Sequence, residues 1–374
     1  MLTDVVSYFM QIVTIDSESL DERAVVDAVK TDLLSLGAEV SEDNVFEITG
    51  GNAGNILASF PGKQGLAPIL FCAHVDTVKP GKGIHPQIKE DRICSDSSTV
   101  LGGDDKSGVA EIIFGIKQVL ESGIDHAPIE VLFTVSEEIG LLGAKNFDTS
   151  KLKSAFGYAL DAHRVGDLVL GAPAQNSIRI TITGKESHAG VEPEKGINAI
   201  RVAAEAITSM PMGRIDHETT CNMGVIQGGS ATNIVPNKVI LKGEARSHNP
   251  QKLEQVCQDI RNAVESAVRR HVYDFGSAGH EFTIHQEYAA FHIGEEQKVV
   301  QLALSALAKL GIRAKTSVGG GGSDANIFNG KGLPMIICGT GMNNVHTVDE
   351  DIEIAELERG ASFIAALIRL HSEG

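Results

Sequence analysis

Short apolar runs closed off by turn residues constrain the fold of this chain more than any other feature. Residues 55–60, 69–73, 129–135 and 155–160 are such runs. Stretches of about four to eight apolar residues between breakers suit strands buried on both faces of a sheet. A long helical pattern at about residues 106–122 lies between two of them. Another at about 21–36 precedes them and stops at Gly37, a residue suited to ending a helix. The opening residues also have helical periodicity, with Val5, Val6, Phe9, Ile12 and Val13 on one face. Strands alternating with helices imply a largely parallel α/β sheet.

From about residue 175 the texture changes. Residues 178–182 alternate strictly, as a strand with one exposed face does, and 239–245 and 281–286 do the same. Helical patterns at about 196–209 and 250–270 separate these runs. Together they predict a small α+β unit with an antiparallel sheet. After about residue 290 the α/β texture resumes: a helix at 297–310, a glycine-rich loop, the apolar run 334–338 and a last helix from about Ile354. A chain of 374 residues is too long for a single core. The simplest organisation is an α/β domain built from residues 1–174 and 290–374, with an α+β domain of 175–289 inserted into it.

The ends of the buried runs hold the chemistry. Run 69–73 ends in His74-Val75-Asp76, run 129–135 in Ser136-Glu137-Glu138, and run 155–160 in Asp161. Run 334–338 leads through a short loop to His346, and Asp104-Asp105 precedes the helix at 106–122. Ligands of open α/β sheets bind at the carboxyl ends of strands. A mixed His/Asp/Glu set there suits zinc, cobalt or manganese better than calcium. Each element alone has an ordinary explanation. Most of the 13 histidines cannot be ligands, and an Asp pair often caps a helix. Independent caps and surface acids would not all fall at one edge of one sheet.

Several function classes drop out. The net charge of −17 and the absence of a basic run argue against nucleic acid and against an anionic membrane surface. No run of about 18 apolar residues is present to span a bilayer. The N-terminal residues lack a basic start and a cleavage site, so no signal peptide is expected. Five scattered cysteines without a C-x-x-C pair indicate neither a disulfide framework nor a cysteine zinc site. A cytoplasmic location is therefore expected. Gly102-Gly103-Asp104-Asp105-Lys106-Ser107 lacks the glycine that a phosphate loop places before Lys-Ser, and its aspartates repel phosphate. Gly319–Gly322 lacks the dinucleotide register and follows no convincing strand.

These residues carry a resemblance. His74-Val75-Asp76, Gly102–Gly108, Ser136-Glu137-Glu138-Ile139-Gly140, Asp161 and His346, in that order and spacing, resemble the M20 family of di-zinc peptidases. Within it the chain is similar to peptidase T and related tripeptidases. The resemblance implies a lid and dimerisation domain inserted after Asp161, and two divalent ions per chain, Zn2+ first and Co2+ or Mn2+ as alternatives. It implies that Asp104 bridges both metals, with His74 and Asp161 completing one and Glu138 and His346 the other. Asp76 is implied to orient the His74 imidazole, and Glu137 to act as general base. His188, within Gly184–Ala189, matches a lid histidine that stabilises the developing oxyanion, usually across a homodimer. Asn233 and Arg246 match substrate-binding lid positions, and Gly320, Gly321 and Ser323 a loop close to the substrate backbone.

Asp at position 161 is similar to aminopeptidase-like members, whereas carboxypeptidases and deacylases tend to carry Glu there. The implied partner is a short peptide losing its N-terminal residue. A dipeptidase or carboxypeptidase, an N-acyl amino acid deacylase and a non-catalytic metal-binding protein remain alternatives.

Overall fold

Eight strands form the principal sheet of the computed structural model, which describes residues 3–373. Its middle is four adjacent parallel strands, in the order Ile129–Thr134, Ile69–His74, Gly157–Ala162 and Met335–Gly339. Three of these are buried along their whole length, which is why they read as continuous apolar runs rather than alternating ones. Antiparallel Ile56–Phe60 and Glu39–Glu42 extend one side. On the other side Asp167–Val169 pairs antiparallel with Met335–Gly339, and Lys315–Ser317 follows in parallel.

This sheet belongs to the first of two compact units, made of residues up to Gly171, His292–Gly319 and Ser323 onward. Its helices include Val5–Val13, Arg23–Ser35, Gly103–Ser122, Lys298–Lys309 and Ile354–Ser372. In the first helix Tyr8, not Val6, joins Val5, Phe9, Ile12 and Val13 in the core. The ring of Tyr8 packs on Phe114 while its hydroxyl donates to Asp32, so an amphipathic residue takes a place that simple hydrophobicity gives to valine. A short strand, Lys315–Ser317, does precede the glycine loop, and a helix, Asp324–Gly330, follows it. Three residues are too few to register as an apolar run.

The second unit comprises Ala172–Phe291 and Gly320–Gly322. Its sheet is wholly antiparallel, in the order Gly213–Arg214, Thr219–Gly228, Lys238–Ser247, Ala174–Thr183 and Gly279–Tyr288. Ile178, Ile180 and Ile182 point to a core shared with Val202 and Ala203 of helix Ala199–Ile207 and with Ile260 and Val264 of helix Pro250–Arg269. Both helices start on an Asn cap: Asn198 accepts from the Arg201 amide, and Asn249 from those of Gln251 and Lys252. Strand Thr219–Gly228 is absent from the sequence reading because only its first residues are buried, which leaves no sustained alternation.

All five cysteines are free. Among the described residues no helix is long and apolar enough to cross a membrane.

Helix Gly103–Ser122 lies against helix Ile354–Ser372 at a contact only glycine allows. A Cβ on Gly115 would stand 2.5 Å from the Ile364 Cβ and 2.7 Å from the Ala361 carbonyl. Alanine's helix preference of about 1 kcal/mol is set against that overlap. Gly115→Ala is expected to lower the unfolding free energy by about 1–3 kcal/mol, read as a lower urea midpoint; an unchanged or higher midpoint contradicts the packing argument.

Candidate metal and catalytic centre

Parallel register brings the strand ends into one row. His74 lies across from Thr134, Cys72 from Ala159, and Leu160 from Cys338. The residues leaving these strands therefore collect at one edge. There the His74 Nε2 is 3.0 Å from Asp104 Oδ1, and the His346 Nε2 is 3.2 Å from Asp104 Oδ2 and 3.0 Å from Glu138 Oε1. Asp104 thus offers one oxygen to each imidazole. Ligand atoms of His74, Asp104 and Glu138 all lie within 4.8 Å of one another. Asp161 and Glu137 line, with His74, Asp105, Ser323 and Asp324, a cavity of about 10 Å³, room for about one water.

The electrostatics are those of crowded carboxylates. Burial pushes the Asp161 carboxyl up to about 8, with the Asp104 charge adding to it. Burial also raises Glu137 well above the carboxylate range, helped by Asp161, Asp324 and Glu138. Hydrogen bonds to Asp104 and Glu138 push the His346 imidazole up to about 10. Burial alone would lower His74, yet Asp104 and Asp76 raise it well above its ordinary value. The carboxylates that draw protons onto two imidazoles would equally draw divalent cations. Two imidazole nitrogens, one buried on His74 and one exposed on His346, converging with several carboxylate oxygens, fit transition-metal ions.

Buried acids farther out hold the backbone of the site. Asp76 accepts from the Glu137 and Glu138 amides at 2.9 and 3.2 Å, and from the Ser19 hydroxyl at 2.7 Å. Its carboxylate is 3.4 Å from the His74 Nδ1, which sits nearer, at 3.1 Å, to the Asp76 carbonyl. The aspartate therefore fixes the Glu137-Glu138 turn at least as much as it orients the imidazole. Glu22, fully buried, accepts from the Ser136 amide at 3.1 Å and hydroxyl at 2.8 Å. Ser136 and His346 both have left-handed backbones, φ +54° and +63°, uncommon for residues with a Cβ. Asp105 accepts from the His74 amide at 3.2 Å, and Glu350 from the Leu101, Gly102 and Asp104 amides, around the start of the Gly103–Ser122 helix. Glu22 and Glu350 escape a sequence reading because each acts through contacts distant in sequence.

Lys106 is fully buried and donates to the Ile15 carbonyl at 2.7 Å, a structural tie rather than a phosphate contact. Ser323 lies beside Asp161 in the lining of the same cavity. A Cβ at Gly320 or Gly321 would meet open space, whereas one at Gly322 would stand 2.2 Å from the Tyr288 ring. Gly322 thus fits closely against the Tyr288 ring, which a larger residue would have to displace.

His188, Asn233 and Arg246 belong to the second unit. The loops of His188 and Asn233 are joined by backbone hydrogen bonds, Ala189 N–H to Asn233 carbonyl at 2.9 Å and Val235 N–H to Ser187 carbonyl at 3.0 Å. The His188 ring is exposed, its Nδ1 accepting from the Gly190 amide. Arg246 is already held by Glu244, at 2.9 and 3.1 Å.

Comparison with known proteins gives two family matches: a peptidase dimerisation domain over residues 174–272 and peptidase family M28 over residues 55–168. The chain is 41% identical to the uncharacterised protein YqjE of Bacillus subtilis over 361 residues, 96% of each chain. It is similar in structure to aminopeptidase PepT from Bacillus cereus, with TM-score 0.88, 39% identity and 98% of each chain covered. A tripeptidase from Staphylococcus aureus matches with TM-score 0.93 and 35% identity, covering 99% of this chain and 98% of that one.

Asp76→Ala would leave the Glu137 and Glu138 amides and the Ser19 hydroxyl without their acceptor. It is expected to cost about 3 kcal/mol or more, and Asp76→Asn, which keeps one acceptor oxygen, less. Denaturant unfolding of metal-stripped protein checks this; equal stability of Asp76→Ala and the parent would contradict the clamp.

Proposed function

The chain belongs to the M20 peptidase family, in its peptidase T-like branch, and from that premise we propose that it removes the N-terminal residue from tripeptides. As a member of that family it is a peptide-hydrolysing metallopeptidase. The finer reading is a two-metal aminopeptidase, acting in the cytoplasm as a homodimer through residues 175–289. The observation that carries it is Asp104 dividing its two oxygens between His74 and His346, with Glu137 beside them.

In this reading His74, Asp104, Glu138, Asp161 and His346 hold two divalent ions, zinc by preference. Bound there, the ions supply Lewis acidity toward water and the peptide carbonyl. Glu137 takes the proton of the attacking water and passes it to the leaving amine. Asp76 and Glu22 fix the turn that aims Glu137, and Asp105 fixes the His74 backbone. Such a base contributes about a hundred- to ten-thousandfold. The exposed His188 donates to the oxyanion of a neighbouring subunit, and Asn233 orients the substrate. Gly320, Gly321 and Ser323 leave room for its backbone. Arg246 grips a peptide carboxylate by exchanging it for Glu244. The Asp at 161 and the likeness to an aminopeptidase and a tripeptidase favour a free N-terminus.

Mass-spectrometric product analysis with an unblocked tripeptide and its N-acetylated twin tests the reading. Release of the N-terminal residue from the free peptide alone is expected. Release of the C-terminal residue, or cleavage of the acetylated twin, instead assigns a carboxypeptidase or deacylase. Glu137→Ala is expected to retain its metal and lose at least about a hundredfold in turnover; undiminished turnover removes Glu137 as the base. Mixing His188→Ala with Glu137→Ala chains should restore part of the activity. No recovery under proven subunit exchange rules out action across the dimer.

A further inference from the structure

Glu350 is buried, with 1% of its surface exposed, and has no part in the chemistry assigned above. Both of its oxygens accept hydrogen bonds. Oε2 accepts from the Leu101 and Gly102 amides at 2.7 and 2.8 Å, and Oε1 from the Asp104 amide at 2.9 Å. Three charge-assisted bonds to one short loop are a strong restraint. The loop is closely fitted to it, since a Cβ on Gly103 would come within 3.0 Å of Oε1.

The clamp is itself anchored. Strand Asp351–Glu353, which follows Glu350 directly, pairs antiparallel with Arg92–Cys94, and Arg92 bonds to both Asp351 and Glu353. The Ser95 hydroxyl ties this segment again through the Val348 carbonyl. His346, on the same segment, approaches the Asp104 carboxylate at 3.2 Å. One stretch of chain therefore holds Asp104 from two sides, its amide through Glu350 and its carboxylate through His346.

We propose that Glu350 is a positioning residue that sets Asp104 to share its two oxygens between two cations. It rests on the reading of Asp104 as the common ligand. The backbone of Asp104 departs from helical geometry, ψ 102°, so the helix does not by itself fix this side chain. A shared carboxylate must meet two ions at once, and a small rotation of its backbone misplaces both contacts. Supporting groups of this kind contribute about ten- to a hundredfold in metal affinity.

The isosteric Glu350→Gln gives a directed test. A glutamine has one acceptor oxygen and one NH2. Turning the oxygen toward the two amides of Leu101 and Gly102 leaves the NH2 facing the Asp104 amide. The substitution thus releases Asp104 while keeping size and most of the clamp. Metal-stripped parent, Glu350→Gln and the shorter Glu350→Asp are titrated with Zn2+ in competition with a chelator. Unfolding temperature without metal and amide exchange at Leu101, Gly102 and Asp104 are followed in parallel. Expected for Glu350→Gln is an affinity loss of about ten- to a hundredfold, with faster exchange confined to the loop and a metal-free unfolding temperature within a few degrees. Parent-like affinity with a lowered unfolding temperature makes Glu350 merely structural and overturns the proposal. Parent-like affinity in Glu350→Asp together with loss in Glu350→Gln supports it. A parent chain that takes up no Zn2+ overturns the metal-centre reading, and this proposal with it.

Discussion

The crowding of carboxylates at one sheet edge governs this structure. Asp104, Asp105, Glu137, Glu138 and Asp161 converge on two imidazoles, with Asp324 beside them, in surroundings that push Asp161 up to about 8. Charges of one sign do not gather like this without compensation. Three further buried acids, Glu22, Asp76 and Glu350, are compensated by donors on the loops that carry the site, each accepting two or more. The remaining excess is what fits this edge to hold cations. The same arrangement that costs stability in the chain alone favours binding of divalent ions.

The sheet makes such crowding attainable. Four adjacent parallel strands, three of them buried along their whole length, end in one row, so segments far apart in sequence deliver their side chains to the same place. Helices Gly103–Ser122 and Ile354–Ser372 pack closely enough to need a glycine at their contact. Rigidity of the elements, and hydrogen bonding of the turns between them, does the positioning.

Much of this is visible in the sequence, for physical reasons. Fully buried parallel strands are predominantly apolar, so Ile69–His74 and Ile129–Thr134, the latter interrupted only by Glu130, stand out, and the polar residues after them stand out by contrast. What stays hidden acts across long separations or through short elements. Glu350 lies 246 residues from Asp104 and Glu22 lies 114 from Ser136, and nothing in either neighbourhood names its partner. Strand Lys315–Ser317 is too short for a pattern, and Thr219–Gly228 is mostly exposed. The glycine loop reads as uniform in sequence. Only the structure separates Gly322, against Tyr288, from its open neighbours.

The most direct test of the central claim counts metal. Native mass spectrometry of the zinc-loaded parent and of Asp104→Ala measures ions per chain. A carboxylate shared between two cations predicts two ions in the parent and loss of both in the variant, because neither site is complete without it. One ion in the parent, or an Asp104→Ala chain that keeps two, would contradict the shared-ligand account.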